Sequence, residues 1–319
     1  MAAGERDLLL SDVRPRGFSA PVDVAVRDGR ITGVGPGLEV PEGTREIDGG
    51  GRAVLPGLVE PHLHLDKAML DAREAGGPGQ HADGGSLEGA VATLARLKSG
   101  FTRNDVRGRA EDVLRRALRH GTTLIRTPVD VDPPIGLTSV DALLDLADRW
   151  ADTVALQIVA FPQEGIDARP GTHDLLVEAL RRGVGVVGAC SYAEPDVEGC
   201  REHLRRVFAL AERFGVPVDV HADFATGPDD PRHDLAAEIA EMTVAAGMQV
   251  RVVLGHVTTL AGLGDARRRN GAVWARSRAT SRTSAVPNGV NALRMLFDEN
   301  PVATPASTSS GTGAVRPWR

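Results

Sequence analysis

From Val54 to His256 the sequence alternates short apolar runs with longer amphipathic segments. The runs are VLPGLV, TTLIRTPVDVD, VALQIVAF, VGVVGAC, VPVDVHAD and QVRVVLGH. Their apolar and β-branched residues predict strands, and the segments between them repeat apolar residues every three or four positions, which predicts helices. Strands that alternate with helices form βαβ units, whose strands pair in parallel. The sequence therefore predicts an α/β fold with six recognisable strands, whereas a (β/α)8 barrel has eight.

The two ends of the chain differ from this middle region. Residues 1–53 hold short alternating runs separated by Gly, Pro and Asp turns, which predicts a small N-terminal β module. We assign residues 54–263 to the barrel. Residues 264–319 lack a clean period and carry a surplus of Arg and Ser, so we predict a tail that is disordered or read out of frame.

Composition and charge exclude several classes of partner. The net charge of −6 gives no reason to expect nucleic acid or an anionic membrane surface. No apolar signal segment or membrane-spanning run is recognisable, which favours a cytoplasmic protein. Two cysteines, Cys190 and Cys200, are too few for a disulfide scaffold or a cysteine zinc cluster. We expect a small-molecule substrate, and the sequence leaves open a homo-oligomer.

Histidines gather where predicted strands end. His62 and His64 follow the first strand, His221 lies in the fifth and His256 ends the sixth. The carboxyl ends of barrel strands are where catalytic groups lie, so these side chains are expected to converge. Three imidazoles around one divalent ion leave a position open for water, whose pKa the ion lowers toward neutrality. The remaining histidines are expected at solvated surface positions: His81, His120, His173, His203 and His233.

Polar side chains follow the same predicted strands. They are Asp66 and Lys67 after the first, Gln163 and Glu164 after the third, and Asp223 after the fifth. Such groups can shuttle protons and stabilise a tetrahedral intermediate when water attacks an sp² carbon. The sequence thus predicts metal-assisted hydrolysis at this edge of the sheet.

Six motifs resemble the cytosine deaminase branch of the amidohydrolase superfamily. They are PGLVEPHLHLDK, RTPVDVD, LQIVAFPQEGI, VVGA, VDVHAD and GHVTTLAGL, and they occur in the same order and at similar spacing over about residues 5–263. Lys67, directly after HLHLD, is also similar to a lysine of the N-isopropylammelide amidohydrolases. The resemblance implies a (β/α)8-type metal-dependent hydrolase barrel, here incomplete at the C-terminus, with a small N-terminal β module.

The resemblance also implies roles for individual residues. His62, His64 and His221 would bind one divalent metal ion, zinc or iron. Gln163 would hydrogen-bond the substrate's ring amide or carbonyl. His256 would orient the attacking water, and Lys67 would assist the chemistry. Asp223 is the nearest carboxylate to the position of the family's proton shuttle, so it is the third catalytic candidate.

Three positions depart from the family's pattern. Phe224 stands where cytosine deaminases carry a proton-shuttling Glu, and Pro128 stands where a histidine is common. The strand-eight Asp that completes the metal site has no clear counterpart, since Asp265 and Asp298 are the only aspartates after His256. Without that ligand and with two strands too few, we expect weak or absent catalysis from this chain.

The expected reaction is hydrolytic release of ammonia or an amine from a cyclic, nucleobase-like compound. Because Lys67 replaces the Glu shuttle, hydrolysis of an N-substituted triazine or a ring amide is one alternative. A catalytically degenerate barrel that binds a metal or a small ligand is the other. Metal content and ammonia release from aminopyrimidines and aminotriazines separate these three hypotheses.

Overall fold

The computed structural model describes residues 7–70, 87–224 and 230–261. They form two compact units. The first takes in the described residues up to Gln163 together with Arg169–Val186, and the second takes in Glu164–Ala168 and the described residues from Val187 onward. In each unit parallel strands alternate with helices along the chain, which confirms the predicted α/β class. None of the helices within the described ranges is both long and apolar enough to cross a membrane.

The first unit begins with a four-stranded sheet. Its strands are β1 (Leu8–Pro15), β2 (Val22–Arg27), β3 (Arg30–Gly35) and β4 (Arg45–Val54). The strand order is β3-β2-β1-β4, and β2 pairs antiparallel with both β1 and β3. β4 returns beside β1 in the parallel sense. This sheet is the predicted N-terminal β module.

The first barrel strand is shorter than predicted. We expected one buried strand over Val54–Val59, but Val54 ends β4 and the next strand, β5, covers only Leu58–Glu60. Pro56 carries no N–H for a sheet ladder, which accounts for the break between the two. β5 begins where the Leu58 N–H donates to the Gly121 carbonyl at 2.8 Å. The predicted burial was also wrong, because Leu58 is 54 % exposed.

Three parallel strands and four helices complete the first unit. They are β5, α1 (Leu87–Lys98), α2 (Arg103–Arg119), β6 (Thr122–Asp130), α3 (Thr138–Trp150), β7 (Ala155–Phe161) and α4 (Thr172–Arg181). β6 pairs in parallel with both β5 and β7. The core forms where apolar faces of α2 and α3 and the side chains of β6 and β7 are fully buried, at Val106, Leu114, Ile125, Leu143, Leu146 and Val159.

Helix α2 shows how local sequence sets its ends. The Thr102 hydroxyl accepts the Asp105 N–H at 3.3 Å and caps the first turn. Gly121, with φ of +84°, lies just past the last turn, in a conformation that favours glycine. The helix also buries Arg109 beside its apolar stripe, because the guanidinium donates to the carbonyls of Asp66 at 2.8 Å and Ala68 at 2.7 Å.

The second unit repeats the same alternation. Its elements are β8 (Val186–Ala189, whose first residue belongs to the first unit), α5 (Val197–Phe214), β9 (Val218–Ala222), α6 (Ala236–Ala245) and β10 (Val252–His256). β9 pairs in parallel with both β8 and β10. Asp196 caps α5 by accepting the Gly199 N–H at 2.8 Å, and Gly215 ends the helix at φ of 68°. With β5, β6 and β7, six strands of the barrel repeat are thus present in the described residues.

The predicted boundaries at residues 53 and 263 stay predictions. Residues 264–319, for which a disordered or out-of-frame tail is predicted, lie outside the described residues, and so do Asp265 and Asp298.

A matched pair of glycines tests the packing of the first unit. In Gly57→Ala the new Cβ would lie 2.8 Å from the Cβ of Thr123, so we expect a loss of about 1–3 kcal/mol of unfolding free energy. In Gly108→Ala, on the exposed face of α2, the new Cβ meets nothing within 4 Å, and we expect a gain of about 0.5–1 kcal/mol. Urea unfolding followed by circular dichroism measures both, and equal effects of the two changes would contradict the close approach at Gly57.

Candidate active site

The first unit brings the two histidines of the HLH motif together. His62 and His64 lie between β5 and a 3-10 turn at Leu65–Lys67. Their ring centroids are 5.0 Å apart, with the ring planes at 71°. The intervening Leu63 donates its N–H to the Arg126 carbonyl at 3.1 Å, which ties the segment to β6. Two half-buried imidazoles are thus held side by side at the carboxyl end of the first barrel strand.

Buried polar groups fix the turn that follows His64. The Leu65 N–H donates to the Thr127 hydroxyl at 3.1 Å, and the Asp66 carboxylate accepts the Asp130 N–H at 2.9 Å. Asp66 is fully buried. Burial raises the pKa of Asp66 to about 7; the charge of Asp130 adds to the rise and the ammonium of Lys67 opposes it.

Lys67 and Gln163, both predicted site residues, are in contact. The Lys67 Nζ atom lies 3.0 Å from the Gln163 Oε1 atom and 2.6 Å from the Asp130 Oδ1 atom. The lysine side chain is 13 % exposed, so it is mostly but not wholly removed from water. The ring of Phe161, the last residue of β7, lies below it, with Nζ 5.9 Å from the ring centroid.

Sequence reasoning missed Lys98, which shares the Asp130 carboxylate with Lys67. The Lys98 Nζ atom lies 3.1 Å from Asp130 Oδ2 and also pairs with the Asp132 carboxylate. Lys98 and both aspartates are buried. A composition signal could have found it: Lys67 and Lys98 are the only lysines in the sequence, among 37 Lys and Arg residues.

The second unit brings His221 and His256 together. His221 lies in β9 and is 2 % exposed, whereas His256 ends β10 and is exposed. The parallel register pairs His221 with Gly255 and Ala222 with His256. The two ring centroids are 4.6 Å apart with the planes at 88°.

Asp223 bonds to a helix start. Its two carboxylate oxygens accept the N–H groups of Leu235 at 2.9 Å and Ala236 at 3.0 Å, where α6 begins. Burial raises the pKa of Asp223, and these two hydrogen bonds oppose the rise. Phe224 follows with its ring centroid 4.4 Å from that of His256, so an aromatic ring lies where the resembling family carries a Glu.

His203 corrects one of the sequence expectations. It was expected at the solvated surface, but its side chain is fully buried. Both ring nitrogens have partners there: Nδ1 lies 2.8 Å from the Glu194 carboxylate, and Nε2 accepts the Cys190 N–H at 3.3 Å. Cys190 N–H can only donate, so Nδ1 carries the proton toward Glu194. His233 is buried as well, with its ring centroid 4.8 Å from that of Tyr192.

Glu194 holds the loop that begins at Glu164. Its carboxylate accepts the N–H groups of Ile166, Asp167 and Ala168 as well as the His203 proton. Burial tends to raise the pKa of Glu194, but the hydrogen bonds from His203 and the loop amides outweigh it, and the pKa lies below its ordinary value of 4.5.

Glu194→Gln tests this loop anchor. A carboxyl with a lowered pKa contributes stability that is complete above its unfolded value and is lost as the pH falls through its folded value. We expect the variant to lose about 2–4 kcal/mol of unfolding free energy at pH 7 and the gap to narrow below about pH 4.5. Denaturant melts at pH 7 and pH 3.5 measure this. Glu212→Gln, which changes an exposed carboxylate of α5, is the control; a gap that did not change with pH would contradict the assignment.

The chain belongs to the amidohydrolase family, whose model matches residues 53–273. It is 29 % identical over 254 residues to the pterin deaminase of Rhizobium rhizogenes, covering 77 % of this chain and 55 % of that protein. The 5-methylcytosine deaminase structure from Klebsiella pneumoniae, liganded with 5-fluorocytosine, matches with a TM-score of 0.76 and 29 % identity, over 85 % of this chain and 64 % of that one. This chain thus spans about half to two thirds of these two proteins.

A second solved structure is also similar to this chain. The N-isopropylammelide isopropylaminohydrolase from Burkholderia multivorans matches with a TM-score of 0.73 and 33 % identity, over 86 % of this chain and 67 % of that one. These matches confirm the predicted family and the barrel-type fold. The roles of the individual site residues stay predictions.

Proposed function

We propose that this chain is a metal-dependent hydrolase that releases ammonia or an amine from a ring carbon of a nucleobase-like compound. The observation that carries the proposal is the contact of Lys67 with Gln163 close to the His62 and His64 pair, in a chain of the amidohydrolase family. The names of similar proteins support a planar nitrogen heterocycle as the substrate class, since they include a pterin deaminase and a 5-methylcytosine deaminase.

His62, His64 and His221 are the proposed ligands of one divalent ion, zinc or iron. The donor set fits such an ion, because both metals accept neutral imidazole nitrogens. Two imidazoles whose centroids are 5.0 Å apart can each turn one nitrogen to a common point. A divalent ion held there supplies an activated water near neutral pH. His221 is included because its motif stands in the same order as in the resembling family.

Four side chains act on the substrate in this proposal. Gln163 hydrogen-bonds the ring, and His256 orients the attacking water. Lys67 donates the proton that the leaving nitrogen needs, since Phe224 has none to give. Asp223, the other predicted catalytic group, is a weaker candidate, because both of its oxygens accept backbone N–H groups of α6.

An N-substituted triazine or a ring amide is the second candidate substrate. Lys67 favours it, since the lysine follows the HLHLD motif directly as in the N-isopropylammelide amidohydrolases. The N-isopropylammelide isopropylaminohydrolase structure, 33 % identical to this chain, supports the same choice. A barrel that binds its metal without turnover is the third hypothesis. A cytoplasmic location and the absence of nucleic-acid and membrane partners stay predictions from the sequence.

The metal assignment predicts a loss of bound ion in His62→Ala/His64→Ala. The wild-type protein, purified without chelator, should carry about one equivalent of zinc or iron by mass spectrometry of the metal, and the double variant close to none. His120→Ala, which changes an exposed histidine after α2, should retain the wild-type content. Full metal content in the double variant would remove these two histidines from the site.

The proton-donor assignment predicts that Lys67→Met loses at least roughly 100-fold in kcat on the best substrate. Ammonia or amine release is measured over hours on aminopyrimidines, aminotriazines and N-isopropylamino-triazines, since weak turnover is expected from this chain. Asp223→Asn should lose much less than Lys67→Met. Undiminished turnover by Lys67→Met would exclude the lysine from the mechanism, and wild-type protein with bound metal but no turnover would favour the non-catalytic hypothesis.

A further inference from the structure

Both lysines of the chain face one carboxylate. Lys67 Nζ lies 2.6 Å from Asp130 Oδ1, and Lys98 Nζ lies 3.1 Å from Asp130 Oδ2. Elsewhere the described residues pair their carboxylates with arginine or histidine, as in Arg182 with Asp141 and His203 with Glu194. An ammonium is a compact donor that fits where a planar guanidinium does not. Both lysines of the chain thus meet at one buried carboxylate.

Lys98 is fixed more firmly than Lys67. Its side chain is 1 % exposed, and it pairs with Asp132 as well as Asp130. A buried ammonium between two carboxylates cannot swing into solvent without taking its charge from both Asp130 and Asp132, which costs several kcal/mol. Lys98 therefore holds one oxygen of Asp130 and leaves the other directed at Lys67.

Lys67 is the more exposed of the two lysines. Its side chain is 13 % exposed and carries the ammonium at the end of four methylene groups, which give an unanchored lysine many rotamers. Asp130 selects from these the position that also contacts Gln163 at 3.0 Å. Because an ammonium only donates, Gln163 must turn its Oε1 atom toward it, so the orientation of that amide is selected too.

We propose that Asp130, backed by Lys98, is a positioning residue that clamps the Lys67 ammonium against Gln163. Asp130 does not touch the substrate. It confines the proton donor of the proposed reaction to one position before a ligand arrives, which removes an entropic cost from the chemical step. The clamp itself is a property of the described contacts, whereas its effect on turnover rests on the proposed function.

The clamp is tested on the full chain labelled with [¹⁵N]lysine. With two lysines in the sequence, the side-chain ammonium region holds two candidate signals, and Lys67→Arg assigns them. In Asp130→Asn the Lys67 signal should vanish through exchange with water, while the Lys98 signal persists through Asp132. In Asp132→Asn, the matched control, the Lys98 signal should shift and the Lys67 signal remain. An unchanged Lys67 signal in Asp130→Asn overturns the proposal.

The wild-type protein supplies a second measurement that needs no variant to fold. A scalar coupling between Lys67 Nζ and the Asp130 carboxyl carbon, in protein labelled with ¹³C and ¹⁵N, would show that the 2.6 Å ion pair is held as a lasting contact in solution. A measurable coupling supports the clamp. A mobile Lys67 ammonium that shows rapid exchange and no coupling in the wild type contradicts it, whatever the variants do.

Turnover separates the clamp from the proposed function. Asp130→Asn should lower kcat roughly 10-fold or more with little change in KM, and should add nothing further in a Lys67→Met background. Equal losses in the presence and absence of Lys67 would overturn the positioning role. If the spectra support the clamp but Asp130→Asn and Lys67→Met leave turnover unchanged, the clamp stands and the proposed role of Lys67 in catalysis fails.

Discussion

A carboxylate buried between two ammonium groups is the interaction on which the first unit's site depends. Asp130 is the last residue of β6, and its side chain is removed from water together with that of Lys98. An ion in the protein interior loses several kcal/mol of hydration, which is offset only when partners with good geometry surround it. The pairing therefore ties together three segments distant in sequence: the turn after His64, the end of α1 and the end of β6. Removing Asp130 would take away the carboxylate that holds Lys67, whereas Lys98 would keep its pair with Asp132.

In both units buried carboxylates also accept hydrogen bonds from backbone N–H groups of loops. Each strand of a parallel sheet leads into a loop, and the loop's N–H groups need acceptors once water is excluded. Asp66 accepts the Asp130 N–H, Asp223 accepts two at the start of α6, and Glu194 accepts three from the loop that follows Gln163. Side chains that look catalytic in the sequence thus also provide the acceptors that shape the loops. This double use explains why Asp223 lies at a strand end and yet has both oxygens occupied.

The alternation of strands and helices was predicted well from the sequence, because the spacing of apolar residues that indicates a strand or a helix is a local feature of the chain. Sequence reasoning failed at Val54–Val59, where Pro56 interrupts an apolar run that periodicity alone reads as one strand. It singled out the paired histidines, Lys67 and Gln163 as site candidates, because their motifs follow strand ends or resemble those of a known family. It missed Lys98, which lies 32 residues before Asp130 and meets it only through tertiary packing. His203 was missed for the same reason, since no local pattern reveals that Glu194 is its partner.

Three residues at the ends of neighbouring strands hold the backbone in the left-handed region. Asp223, just after β9, has a φ of 49°. His256, the last residue of β10, has a φ of 66°, and Val257, the next residue, has a φ of 49°. A β-branched residue such as Val257 rarely adopts this conformation, and each such residue costs about 1–3 kcal/mol. Val257→Gly would relieve that strain and raise the melting temperature. It would also let the backbone at His256 vary more, so that the imidazole could adopt a wider range of orientations. The second unit therefore gives up some stability to fix the orientation of the His256 ring. A substitution that removed the backbone strain at Val257 would make that orientation less well defined.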